Sequence, residues 1–157
     1  MLDLPNPDFV RIHNLAESAY LDLASQNNPG HAAYTCITLA EVELRLENYD
    51  AALGYVRKGL LELPAGIPGP RVSLFSQEAK ILFRMGNEAE SKFQLELAIQ
   101  HMESIAPSKE LAENWGEIAR VFVEVGQQDR AIYAYEKAIS VAAMSQAEQE
   151  DFAKIYG

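Results

Sequence analysis

Two amphipathic runs separated by a glycine constrain this chain more than any other feature. In the first run Trp115, Ile118, Phe122 and Val125 recur at steps of three and four, the spacing of one helical face. Gly126 follows, a residue suited to leaving a helix through a left-handed conformation. A second run then brings Ala131, Ile132, Tyr135, Ala138 and Ile139. So short a connection makes the two helices antiparallel and puts them in contact. Ala119, Ala131 and Ala138 leave room for the backbones to approach, and Trp115, Phe122 and Tyr135 are expected to fill the remaining volume. The stretch 111–140 reads as a self-packing helical hairpin.

The hairpin resembles a tetratricopeptide repeat, a helix–turn–helix unit of about 34 residues. With Ala112 as the first position, Trp115, Ile118, Ala119, Phe122, Gly126, Ala131, Tyr135 and Ala138 fall on the signature positions, and Ala143 stands where the family has a closing proline. One such unit cannot bury its outer face alone, and two related stretches precede it. A unit starting at Ala33 places Leu39, Ala40, Ala52 and Pro64 correctly and departs at Cys36, Glu43, Val56 and Gly59. A unit starting at Val72 places Phe75, Ala79, Leu82, Gly86, Leu95 and Ala98 and departs at Glu78 and Ser91. The starts lie 39 and 40 residues apart, so both spacings exceed the norm. The extra length falls in PAGIPGP (64–70), expected to be a loop, and in IAPSKE (105–110), expected to lengthen a helix until Pro107 breaks it.

The fold expected from this resemblance is all-α: antiparallel hairpins stacked as a right-handed superhelix, one domain over 1–157. It comprises an N-terminal helix (1–28), repeats at 33–66, 72–105 and 112–144, and a C-terminal capping helix (145–157). In the first helix Ala16 and Tyr20 take the roles of Ala131 and Tyr135, with Asn6–Pro7 as cap and first-turn proline. Either this helix closes the array alone, or the chain is part of a longer solenoid. Ser145 with Glu148 reads as a capping box opening the last helix.

Composition narrows the function classes. The net charge is −10, with nine acids and four bases in residues 1–70 and fourteen and nine thereafter. Such a field repels phosphate backbones, so direct nucleic-acid binding is not expected. There is no transmembrane run and no signal-peptide pattern at the start, which points to the cytoplasm. The single cysteine, Cys36, reads as a small buried hydrophobe. No phosphate loop or metal-ligand spacing occurs, and His13, His31 and His101 lie in different elements. No enzyme activity, cofactor or metal is expected.

In the family, the first helix of each repeat lines a concave groove. The resemblance puts Tyr34, Ile37, Glu41, Leu44 and Arg45 there from the first unit, and Ser73, Ser76, Lys80, Phe83 and Arg84 from the second. The third unit adds Glu113, Gly116, Arg120, Val123 and Glu124. Cations interleaved with apolar residues suit a protein or peptide partner, an acidic amphipathic segment among them. The alternative is a solvated face whose cations pair with Glu41, Glu113 and Glu124. The carboxylate clamp of chaperone-binding members is not expected, because its places hold Glu41, Gln77, Glu113 and Glu117. Three roles follow: an interaction scaffold, the C-terminal sensor or oligomerisation domain of a larger bacterial transcriptional regulator, or a docking subunit for an enzyme. A homodimer is compatible with all three.

Overall fold

The computed structural model describes residues 7–157 and contains seven α-helices among them: α1 (Pro7–Ser25), α2 (Pro29–Arg45), α3 (Tyr49–Glu62), α4 (Pro68–Arg84), α5 (Glu88–Glu103), α6 (Lys109–Glu124) and α7 (Gln128–Tyr156). Helices α2/α3, α4/α5 and α6/α7 form antiparallel hairpins, and α4 also packs on α2 at one side and α6 at the other. The first helices therefore make one continuous layer. Second helices α3 and α5 pack on the first helices that follow them, α4 and α6.

Four turns share one geometry. Asn27, Glu47, Gly86 and Gly126 each adopt a positive φ between 55° and 87°. The next residue donates its N–H back five positions: Asn28 to Leu23 O, Asn48 to Glu43 O, Asn87 to Leu82 O and Gln127 to Phe122 O, at 2.8 to 2.9 Å. This closure satisfies carbonyls that the helix end leaves orphaned. Gly86 and Gly126 adopt it at no steric cost; Glu47 does so against its Cβ.

The hairpins close on small residues. Ala40, Ala52, Ala79, Ser91 and Ala119 are fully buried, and Ala131 nearly so. Ser91, a departure from the family pattern, donates its hydroxyl to Ala79 O at 2.7 Å, so the buried polar group is satisfied. Glu78, the other departure in that unit, is buried with its carboxylate 3.4 Å from Arg57 Nε. Burial raises its pKa, and Arg57 opposes that shift. Arg57 also reaches Glu90 at 3.9 Å, and Glu96 holds Arg130 at 2.7 Å, so successive second helices are linked by ion pairs of alternating sense.

Several expectations are corrected. Pro68 and Pro70 lie in the first turn of α4 and not in a loop, because proline suits a helix start. The 64–70 segment is thus partly helical, and first helices begin at Pro29, Pro68 and Lys109. Residues 105–108 do not lengthen α5, which stops at Glu103; Ser108 caps α6 instead by accepting from Leu111 N. No helix starts at Ser145: α7 runs unbroken from Gln128 to Tyr156 with Ser145 buried mid-helix. Good helix formers on both sides of Ser145 leave nothing to stop it. Tyr135 does not fill the hairpin core. It is 42% exposed, as are Ile132 and Ile139 more fully, while Ala134 and Val141 take the buried face of α7. Tyr133 supplies the missing aromatic, edge-on to Trp115 at 6.1 Å. Asn6 lies outside the described residues.

Helix α1 packs on α2 and reaches α3 through its side chains. Ala16 and Tyr20 are buried as expected. Tyr20 bonds Glu62, and Tyr55 donates to Glu17 at 2.8 Å.

Helix α3 comes close to its neighbours at Gly59. A Cβ there would meet Leu74 Cδ2 at 2.9 Å and Cys36 Cβ at 3.2 Å, whereas Gly54 and Gly116 have nothing within 4 Å. Gly59→Ala is therefore expected to destabilise by about 1–3 kcal/mol through overpacking. Gly54→Ala and Gly116→Ala should each stabilise by about 0.5–1 kcal/mol through helix propensity. Urea denaturation of the three variants checks both signs.

Candidate interaction face of the first helices

The layer of α2, α4 and α6 carries the residues that the sequence assigned to a groove, but not all of them are available. Leu44 is 2% exposed and belongs to the core between α2, α3 and α4. Ser76 is 1% exposed and returns its hydroxyl to Val72 O. Neither can touch a partner, so both are removed from the candidate face. The family register places them near the groove, and the burial of this particular array takes them out of it. Ile37 and Phe83 are half-buried against the two core clusters. Tyr34, Arg45, Arg84, Glu113, Arg120, Val123 and Glu124 are exposed, and Gly116 is half-buried.

The cations are mostly paired within the chain. Glu41 accepts from Arg45 at 3.2 Å and from Lys80 at 3.3 Å, and its second neighbour on α4, Gln77, donates to it at 3.2 Å. Burial alone would raise the Glu41 pKa, but Lys80, Gln77 and Arg45 outweigh it and hold the carboxyl below its ordinary value. Arg84 pairs with Glu124 at 3.0 Å, bridging α4 and α6. Arg120 has no salt-bridge partner within 4.0 Å among the described residues, although its charge acts on Glu117.

Sequence reasoning named Ser73, Gln77 and Glu117 at this face but missed that they form its polar floor. Ser73 is buried and donates to Glu117 at 2.9 Å. Burial pushes the Glu117 pKa up, against Ser73, Arg120 and Lys80. Gln77 is buried, with its Oε1 left without a partner among the described residues. Glu110 lies directly over Gly69, close to the Tyr34 hydroxyl. The Tyr34 pKa is raised first by burial, then by Glu110, Glu117 and Glu113. Only the i, i+3, i+7 spacing of Glu110, Glu113 and Glu117 could have shown this acidic edge in the sequence.

Other candidate groups lie away from this face. Burial pushes the Cys36 thiol up to about 11, with Glu62 adding to the shift and Lys58 opposing it; such a thiol is a poor nucleophile. His13 contacts Glu43 at 3.2 Å and Tyr55 at 3.1 Å. His31 lies against Asn28, the cap of α2, and His101 sits in α5. No group of three or more metal-ligating side chains occurs among the described residues, and no helix among them is long and apolar enough to cross a membrane.

The two half-buried carboxylates of this face should respond oppositely to pH. Glu117 binds its proton more firmly folded than unfolded, so its ionisation costs stability as pH rises through and above the ordinary carboxylate range. Glu41 binds its proton less firmly folded, so it contributes stability above that range and loses it as pH falls through the native value. Glu117→Gln is expected to melt at or above the parent temperature near neutrality and to lose that advantage at about pH 4. Glu41→Gln should melt lower near neutrality, with the gap closing in acid. Thermal melts across pH read both.

Residues 112–143, on α6 and the first half of α7, match the tetratricopeptide repeat family. No curated protein matches the chain. The two earlier hairpins repeat the same turn and the same small-residue closure with more departures in sequence, so the match falls on the third of three like-built hairpins.

Proposed function

We propose that the chain is a protein–protein interaction scaffold whose first-helix face holds a segment of another protein. The observation that carries this reading is the continuous layer of α2, α4 and α6, with exposed Tyr34 at one edge and exposed Val123 and Arg120 at the other. Half-buried Ile37 and Phe83 give it apolar footing between them. A segment laid across several first helices would gain apolar contact and polar anchors at once.

The internal ion pairs bear on the partner's chemistry. An acidic peptide would have to displace Glu41 from Arg45 and Lys80, and Glu124 from Arg84. Among the described residues of this face Arg120 is the cation with no ion-pair partner within 4.0 Å, while Glu110, Glu113 and Glu117 offer carboxylates near Tyr34. A segment of mixed charge with an apolar centre suits this face better than a uniformly acidic one. The same reading has the chain act without catalysis or cofactor, in the cytoplasm and away from nucleic acid, in keeping with its net charge of −10. The uncovered apolar residues of α7 favour a second role, the sensor or oligomerisation domain of a larger regulator.

A photoreactive residue in place of Val123 is expected to crosslink a partner in source lysate, and one in place of exposed Lys92 on α5 is not. Adding Arg120→Glu and Tyr34→Glu should lower the Val123 crosslink by about tenfold or more. Equal labelling from Lys92, or no effect of the two substitutions, would place the interaction elsewhere.

A further inference from the structure

The hairpins bury their second helices unequally. Leu53 and Val56 on α3, and Leu95 and Ile99 on α5, are buried where the next first helix packs on them. The residues of α7 in the same register, Ile132, Tyr135 and Ile139, are uncovered, with Ile139 71% exposed. Beside them runs an apolar groove between α6 and α7, lined by Ala112, Ala138, Ile139 and Ala142 with Lys109 at its rim. Helix α7 then continues past Ser145 for three more turns in which every residue is exposed. Those turns carry Phe152, Ile155 and Tyr156, and the Phe152 and Tyr156 rings stack at 4.6 Å.

We propose that α7 pairs two copies of this chain antiparallel, the end of each α7 seated in the α6–α7 groove of the other. One chain carries both halves of the contact on one rod. Ala138, Ala142, Gln149, Phe152 and Tyr156 lie on one stripe of α7, spaced at fours and threes through buried Ser145, the seam of two crossing helices. A two-fold axis near Ala147 sets Tyr156 of the second copy over Ala138 and Phe152 of the second copy over Ala142. Large side chains then meet small ones, as in the chain's own hairpins. Lys109 has no salt-bridge partner among the described residues, and the pairing brings Glu148 of the second copy to it. A two-fold contact of this kind is self-complementary and closed. The net charge of −10 on each copy opposes it, so association should strengthen as salt screens that repulsion.

Sedimentation equilibrium of the full chain tests the pairing. A monomer–dimer equilibrium that tightens with salt is expected. Phe152 and Ile139 are exposed in the single chain, so Phe152→Glu and Ile139→Glu should leave the circular dichroism unchanged and weaken the dimer by about tenfold or more each. Lys109→Glu should weaken it, and Glu148→Lys added to Lys109→Glu should restore it. Ala147→Cys, at the axis, should oxidise to a disulfide-linked dimer, whereas a cysteine at exposed Ala51 should not. A chain that stays monomeric throughout the concentration range would overturn the proposal, as would a dimer insensitive to both glutamates or an equal yield of linked dimer from the two cysteines.

Discussion

Contact between small side chains holds each hairpin closed. Each hairpin buries a small residue on both of its helices, Ala40 and Ala52, Ala79 and Ser91, Ala119 and Ala131, all at or near complete burial. At such a point the backbones come close enough for a serine hydroxyl to reach the opposite carbonyl, as Ser91 does with Ala79. Large residues then fill the space on either side: Leu74, Ile81 and Leu82 around the first two hairpins, Trp115, Ile118 and Phe122 in the third. Enlarging any of the small residues would separate the helices and uncover these neighbours together, because a close-packed interior has little slack.

Closure of the hairpins decides what the surface can do. Narrow pairing within a hairpin leaves the first helices free to touch one another, so they form a layer of their own. That layer collects polar groups on its floor, including a carboxylate shared by Arg45, Lys80 and Gln77. These bonds tie α2 to α4, while Arg84 with Glu124 and Ser73 with Glu117 tie α4 to α6. The first-helix face is therefore braced before any partner arrives, and most of its charge is already committed.

Much of this architecture is legible in the sequence, for a local reason. The 3.6-residue period of Trp115, Ile118 and Phe122, and the glycine at the left-handed turn, are properties of neighbouring residues. Boundaries were harder. Pro68 and Pro70 signal a turn equally well as a helix start, and only packing decides between them. Ser145 and Glu148 have the spacing of a capping box, but a cap forms only where the preceding helix stops, and α7 does not stop. Tyr135 sits on a signature position whose burial depends on a following helix, so its own hairpin does not cover it. The candidate face was legible in outline through the register. Its ion pairs were not, because Glu41 with Lys80 and Arg84 with Glu124 join residues about forty positions apart, and no local pattern records such a pairing.

The ion pairs between second helices carry a further meaning. Arg57 meets Glu90, and one hairpin later Glu96 meets Arg130, with the signs reversed at equivalent positions. Exchange the second and third hairpins, and Arg57 would face Arg130 while Glu136 would face Glu90. Both junctions would become repulsive, although each exposed pair contributes little stability by itself. The hairpins look interchangeable in shape, yet these charges give each a place in the series, like numbered vertebrae, and bar the shuffled orders that a chain of near-identical modules would otherwise tolerate.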